Sequence, residues 1–238
     1  MNRHVQIIKW PLTDYHEAYT RQKELFEGIK AIKLRNKHEN RREITPNYFI
    51  LTEHPHVYTL GKSGDPRNLL LPEEKLQAFG VQFIPTDRGG DITYHGPGQI
   101  VGYPVIDLDN FGIDIIEYIR RLEEVIIRVL ADYGIRGERS PGETGVWLDA
   151  GGTDPRKICA IGVRTSRWVT MHGFAFNLST DLSYFDHIIP CGIRNKGVTS
   201  LQKELGYIPP RCEVEQKIIR YFADVFGAVM HDENLQKP

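Results

Sequence analysis

Three cysteines, Cys159, Cys191 and Cys212, are too few for a disulfide framework, and none has the C-x-x-C spacing of zinc ribbons and redox motifs. A reducing cytoplasm is the expected setting. No apolar run approaches the roughly 18 residues that span a bilayer, and the opening Met1-Asn2-Arg3-His4 leads into alternating residues rather than a signal-peptide core. No membrane partner is expected. Charge of one sign is missing too: 30 Lys plus Arg face 31 Asp plus Glu, which argues against a phosphate-neutralising surface and so against nucleic acid. G-x-G-x-x-G is absent, and Gly61-Lys62-Ser63 lacks the earlier glycine of a phosphate loop, because His56 stands in its place. The histidines His54, His56, His95, His172 and His187 lack a supporting carboxylate or cysteine pattern, so no metal is expected. With no internal repeat or linker, residues 1–238 read as a single domain.

What is present is an ordinary globular composition, 40% hydrophobic and 26% charged. Alternation predicts a strand over 3–10. Thr13 is placed to cap a helix carrying Ala18, Leu25, Phe26, Ile29 and Ile32, which ends in a basic segment from Lys30 to Arg42. That segment is read as a solvated helix end or a docking surface for an acidic partner. Two short strands are expected over 47–60, broken at Glu53-His54-Pro55, then a loop over 61–68 and a short helix over 73–79. Strands follow over 81–85 and 100–107, joined by a glycine-rich connection. The clearest helix spans 113–133, with Ile115, Ile119, Leu122, Ile126, Val129 and Tyr133 on one stripe. Strands over 144–149, 157–165 and 169–178, a helix over 213–229 and a polar tail complete the chain. Strands joined by tight turns predict an α+β class with a mainly antiparallel mixed sheet and packed helices.

Two features could carry chemistry. The segment from Asp87 to Gln99 packs four glycines, Arg88 and His95 between two strands, a candidate binding loop where backbone approaches a ligand closely. Lys157 opens a mostly apolar strand, and a nearby ammonium lowers a thiol's pKa and so favours the nucleophilic thiolate. Cys191, in a turn after Pro190, is one possible partner. Cys159 is another: two residues along a strand it should share the lysine's face, with Cα atoms roughly 7 Å apart. Spacing does not choose between them.

Three blocks resemble the lipoyl(octanoyl) transferases of lipoate biosynthesis, which share a fold with lipoate ligases and biotin protein ligases. They are Arg88-Gly89-Gly90-Asp91-Ile92-Thr93-Tyr94-His95-Gly96-Pro97-Gly98-Gln99, then Gly145-Val146-Trp147 through Lys157-Ile158-Cys159-Ala160-Ile161-Gly162, then His172-Gly173-Phe174-Ala175-Phe176-Asn177-Leu178 through Pro190-Cys191-Gly192-Ile193 and Gly197-Val198-Thr199-Ser200-Leu201. Together with Tyr58-Thr59-Leu60-Gly61, these blocks spread the likeness over roughly residues 50–205. It implies a biotin/lipoate protein ligase catalytic-domain-like fold, with Cys191 as the acyl-accepting nucleophile and Lys157 as its acid/base partner. The resemblance also implies that Arg88, Gly89, Gly90, Tyr94, His95, Gly96, Ala160, Ile161, Gly162, His172, Gly173, Ala175 and Asn177 bind substrate. The family usually has alanine where this chain has Cys159, which reads as a small core substitution.

By the same resemblance, Cys191 takes an octanoyl group from acyl carrier protein. A lysine on a lipoyl domain of a 2-oxoacid dehydrogenase, or on the glycine cleavage H protein, then receives it, with no cofactor and no ATP. An ATP-dependent lipoate ligase is the alternative, against which Cys191 speaks because adenylation needs no thiol. A non-catalytic module that binds carrier protein through the basic segment is a further one.

Overall fold

The computed structural model describes residues 1–189 and 196–232. Strand β1 (His4–Leu12) leads into helix α1 (Tyr15–His38). Asp14, not Thr13, caps that helix: its carboxylate accepts from the backbone N–H groups of His16 and Glu17, satisfying donors that a helix leaves unpaired. Thr13 instead hydrogen-bonds the Pro11 carbonyl. β2 (Tyr48–Glu53), β3 (Val57–Leu60), the short α2 (Glu73–Ala78) and β4 (Gln82–Pro85) follow. The expected glycine-rich connection contains a strand, β5 (Ile92–His95), before β6 (Gln99–Val105).

Helix α3 (Ile115–Ala131) is capped by Asp114 and fully buries Leu122, Val125, Ile126, Val129 and Leu130. Each such side chain contributes about 1.5–3 kcal/mol. β7 (Glu138–Ser140), β8 (Glu143–Leu148), β9 (Arg156–Ser166) and β10 (Val169–Asn177) follow, then β11 (Gly197–Val198), α4 (Leu201–Leu205), α5 (Arg211–Phe226) and β12 (Val229–Asp232). α5 stops earlier than its apolar stripe suggested because Gly227, at φ 61°, turns the chain out of the helix, and the expected polar tail begins instead as an edge strand.

Among the described residues the large sheet runs β12-β1-β2-β6-β10-β9-β8-β7, with β11 added to β9, and a small sheet runs β4-β3-β5. From β2 to β7 every neighbour is antiparallel, whereas β12, β1 and β2 pair in parallel. The fold is a mixed-sheet α+β domain. All nine residues of β10 are buried because helices cover both faces of the sheet. Phe174 and Phe176 pack with α3 and α5, while Val169, Met171 and Ala175 pack with Phe26 and Ile29 of α1. A third core, with Tyr58, Ile92, Tyr94, Phe185 and Ile188, supports the small sheet. No helix among the described residues is long and apolar enough to cross a membrane.

Candidate active site

A cavity of about 600 Å³ lies against β6, β9 and β10 and is bounded by the Arg88-Gly89-Gly90 loop, the start of α3 and the turn before β8. That volume falls in the range of small-molecule sites. Its wall includes Lys157, Ala160, Ile161, Gly162, Gly173, Ala175, Arg88, Gly89, Gly90, His95, His172 and Asn177, so twelve residues named from sequence converge on one space.

The loop reaches β9 because glycines let it. Gly89 N–H donates to the Val163 carbonyl at 2.9 Å, and a Cβ on Gly162 would lie 2.9 Å from the Gly89 carbonyl oxygen, closer than real side chains come. The backbone N–H groups of Gly61, Lys62 and Ser63 donate to the carbonyls of Asp91, Arg88 and Gly90. The tripeptide that looks like a phosphate loop therefore spends its donors fastening the binding loop.

A polar relay ties that loop to β9. Arg88, 7% exposed, donates to the Thr59 carbonyl at 2.6 Å and hydroxyl at 2.9 Å. Gln99 donates through Nε2 to Asn177 Oδ1 at 2.9 Å and the Tyr94 carbonyl at 3.2 Å, so its Oε1 accepts from His95 Nδ1 at 2.8 Å. This assigns the tautomer of His95, whose pKa is pushed down to about 3 by burial and by neighbouring His54. Asn177 donates onward to the Thr199 carbonyl at 3.0 Å, and Thr199 N–H to the Lys157 carbonyl at 3.0 Å.

His172 is held differently. It sits at φ 62° inside a strand, a conformation costly for a residue with a Cβ, and its Nε2 donates to Asp87 at 2.8 Å. Burial pushes the Asp87 carboxyl up, but His172, Tyr19 and Arg164 outweigh it and hold it at about 2. Burial lowers His172 despite that partner. Its Nδ1, like Trp147 Nε1, is buried with no hydrogen-bond partner among the described residues.

Two of the named residues do not line the cavity. Tyr94 points into the third core and its hydroxyl meets His56 Nδ1 at 2.7 Å, while Gly96 leaves room for that ring, since a Cβ there would collide with the Tyr94 hydroxyl. Cys191 lies outside the described residues.

Cys159 departs from its expected face. β8 and β9 pair Val146 with Cys159 but Trp147 with Lys157, so β9 carries one extra residue, Ile158, at a bulge. Lys157 then falls in step with Ala160 and Gly162 on the cavity wall, while Ile158 and Cys159 are both fully buried in the main core. Burial pushes the Cys159 thiol well above its usual value even though Lys157 pulls it down. Opposite the bulge, Gly145 at φ 118° donates its N–H to fully buried Glu123 at 3.1 Å.

The basic segment is largely matched within the chain. Lys30 pairs with Glu27, Lys33 with Asp107 and Asp109, Arg35 with Glu43, and Arg41 with Glu39.

The catalytic domain described as lipoyl protein ligase A/B matches residues 14–223. The chain is 55% identical over 229 residues to an octanoyltransferase of Christiangramia forsetii, covering 96% of this chain and 98% of that one. It is 57% identical over 231 residues to an octanoyltransferase of Flavobacterium psychrophilum, covering 97% and 100%. The chain belongs to the octanoyltransferase family. Its fold resembles a bipartite lipoate protein ligase from Thermoplasma acidophilum, with a TM-score of 0.68 at 16% identity over 98% of this chain and 87% of the other. A biotin protein ligase from Aquifex aeolicus superimposes with a TM-score of 0.52 at 11% identity, over 94% and 71%.

The cavity of this octanoyltransferase also holds several residues that the sequence did not assign to a site. Tyr15, whose ring stacks on His95 at 5.8 Å, and Tyr103, whose hydroxyl meets His54 Nε2 at 2.6 Å, line it, and Ile115 and Ile119 give it an apolar side from α3. Glu143 and Thr144 bring the first residues of β8 to the wall, in a segment between the resemblance blocks that no family motif marked. Gln99 ends a quoted block but carried no role there, because its importance lies in contacts across strands.

Proposed function

We propose that this octanoyltransferase works in two thioester steps, with acyl carrier protein as donor and a lipoyl-domain lysine as acceptor. The observation that supports this most is the bulge at Ile158. It gives the cavity a lysine, Lys157, and withholds the neighbouring thiol, Cys159, which supports Cys191, the cysteine of the Pro-Cys-Gly block in the family resemblance, as the nucleophile.

In the first step the Cys191 thiolate attacks the carbonyl of the octanoyl thioester. A new C–S bond forms, the donor's C–S bond breaks, and the departing thiolate takes a proton from the Lys157 ammonium. In the second, the acceptor amine attacks the acyl-enzyme. A C–N bond forms, the bond to Cys191 breaks, and the amine's proton passes to Lys157. The donor already stores the activation, so no ATP enters. Arg88, Gly89, Gly90 and His95, with Ala160 to Gly162, His172, Gly173, Ala175 and Asn177, form the acyl pocket. Tyr94 and Gly96 support its loop from behind. Burying the six methylenes of an octanoyl tail provides at most about 5 kcal/mol, at about 0.8 kcal/mol each. Lipoyl domains of 2-oxoacid dehydrogenases and the glycine cleavage H protein are the acceptors, and a reducing cytoplasm suits the free thiol.

The test is turnover without ATP. Octanoyl carrier protein plus lipoyl domain should give octanoylated domain, whereas free octanoate plus ATP should give none. Product only in the second mixture means a ligase.

A further inference from the structure

The second step needs a place for a cation, because the acceptor lysine arrives as an ammonium and must lose its proton beside the acyl group. Such a place is already built at the Lys157 end of the cavity, and the chain itself occupies it. Lys196 Nζ lies 2.7 Å from Glu143 Oε2, 3.3 Å from Ser140 Oγ and 4.8 Å from the centroid of the Trp147 ring. A carboxylate, a hydroxyl and an indole face are the groups that recognise a primary ammonium. Lys157 Nζ lies 4.6 Å from the centroid of the same ring, and Glu143 lines the same cavity.

The floor is dry and the entrance open. Trp147 and Ser140 are buried, whereas the side chains of Lys196 and Glu143 keep 24% and 21% of their surface exposed. Burial pushes the Glu143 carboxyl up, but Lys196, Ser140 and Lys157 outweigh it and hold it below the usual range, so it carries charge.

We propose that Glu143, Ser140 and Trp147 bind the ammonium of the acceptor protein's lysine, and that Lys196 is an internal tenant displaced as that lysine enters. The inference rests on the two-step reading above. It gives the acceptor a position next to Lys157, which takes the ammonium's first proton before attack, while the second leaves on the Cys191 sulfur as the acyl C–S bond breaks and the C–N bond forms. Lys196 exchanges one carboxylate partner for water while the incoming lysine makes the reverse exchange, so entry is a competition between two like cations for one site.

The experiment separates the half-reactions. Acyl-enzyme formation is followed by intact mass with octanoyl carrier protein alone, and its decay is followed against increasing lipoyl domain. Lys196→Met should lower the half-saturating acceptor concentration about fivefold, the worth of a partly exposed ion pair. Glu143→Gln should raise it about tenfold or more, as losing a charged hydrogen bond does. Lys196→Met should bring no gain in the Glu143→Gln background. If Glu143→Gln does not fold, n-butylamine as acceptor should still consume the Lys196→Met acyl-enzyme faster than the wild-type one. Acceptor saturation that worsens with Lys196→Met, or moves with neither substitution, makes Lys196 a structural clamp and overturns the proposal. A wild-type enzyme that never acquires the acyl mass overturns the two-step reading beneath it.

Discussion

Lys157 and Cys159 stand two residues apart on one strand, yet the bulge at Ile158 gives the lysine to the cavity and the cysteine to the core. A regular strand would have set both on one face, with the ammonium beside the Cys159 thiol. Cys159→Ala should therefore keep octanoyl transfer close to wild type and cost about 1 kcal/mol of stability, as loss of a small buried group does. In the folded protein Cys159 should resist alkylation and react only as the chain unfolds. Rapid labelling of Cys159 under native conditions would count against the bulge.

Gly162 and the loop above it make a second prediction. A Cβ there would press on the Gly89 carbonyl at 2.9 Å, so Gly162→Ala should push the loop away from β9 and lower kcat/KM for octanoyl carrier protein about tenfold or more. Gly28→Ala, in α1 with open space around it, should instead stabilise by about 0.5–1 kcal/mol. Equal effects at the two positions would mean that the close approach is not needed.

The buried histidines set the acid limit. Burial lowers His54 to about 4 and His95 to about 3, and lowers His172 as well. The unfolded chain takes up these protons near pH 6.5 and the native fold does not, so stability is full above that pH and falls as the pH drops from about 6.5 towards 4. Each histidine contributes a slope on the order of 1 kcal/mol per pH unit. Asp87, held at about 2, adds a further loss only below about pH 4. Urea midpoints at pH 7.5 and 5 should differ clearly, and less so in His54→Asn. Identical midpoints would show that these imidazoles are not buried neutral.

Reading the basic segment from Lys30 to Arg42 as a docking surface loses ground in the fold, since Lys33 joins α1 to buried Asp107 and to Asp109. Lys33→Ala should cost about 2 kcal/mol by stranding the Asp107 carboxylate, although Thr45 still donates to it at 2.9 Å. Thermal unfolding should report this. An unchanged melting temperature with a raised KM for a protein substrate would restore the docking role.

Periodicity made α1, α3 and most strands legible, because amphipathic stripes and alternation follow from which face is buried. The short strands β5, β7, β11 and β12 were not, since each owes its extended form to a neighbour rather than to its own pattern. The same holds at the site. Lys157 and the Arg88 loop announced themselves by charge and glycine, and the family resemblance assembled the remainder. The bulge at Ile158 is a feature of the pairing between β8 and β9 that no spacing along one strand displays. Glu143 and Lys196 are ordinary surface types in sequence and acquire meaning only across Trp147.

Where the acyl group rests is the most direct test of the account. The enzyme is mixed with octanoyl carrier protein in the absence of acceptor, quenched in acid and mapped by peptide mass. The octanoyl group should be found on Cys191, formed normally in Cys159→Ala, absent in Cys191→Ala and formed far more slowly in Lys157→Ala. An octanoyl group on Cys159, with Cys191→Ala still active, would contradict it.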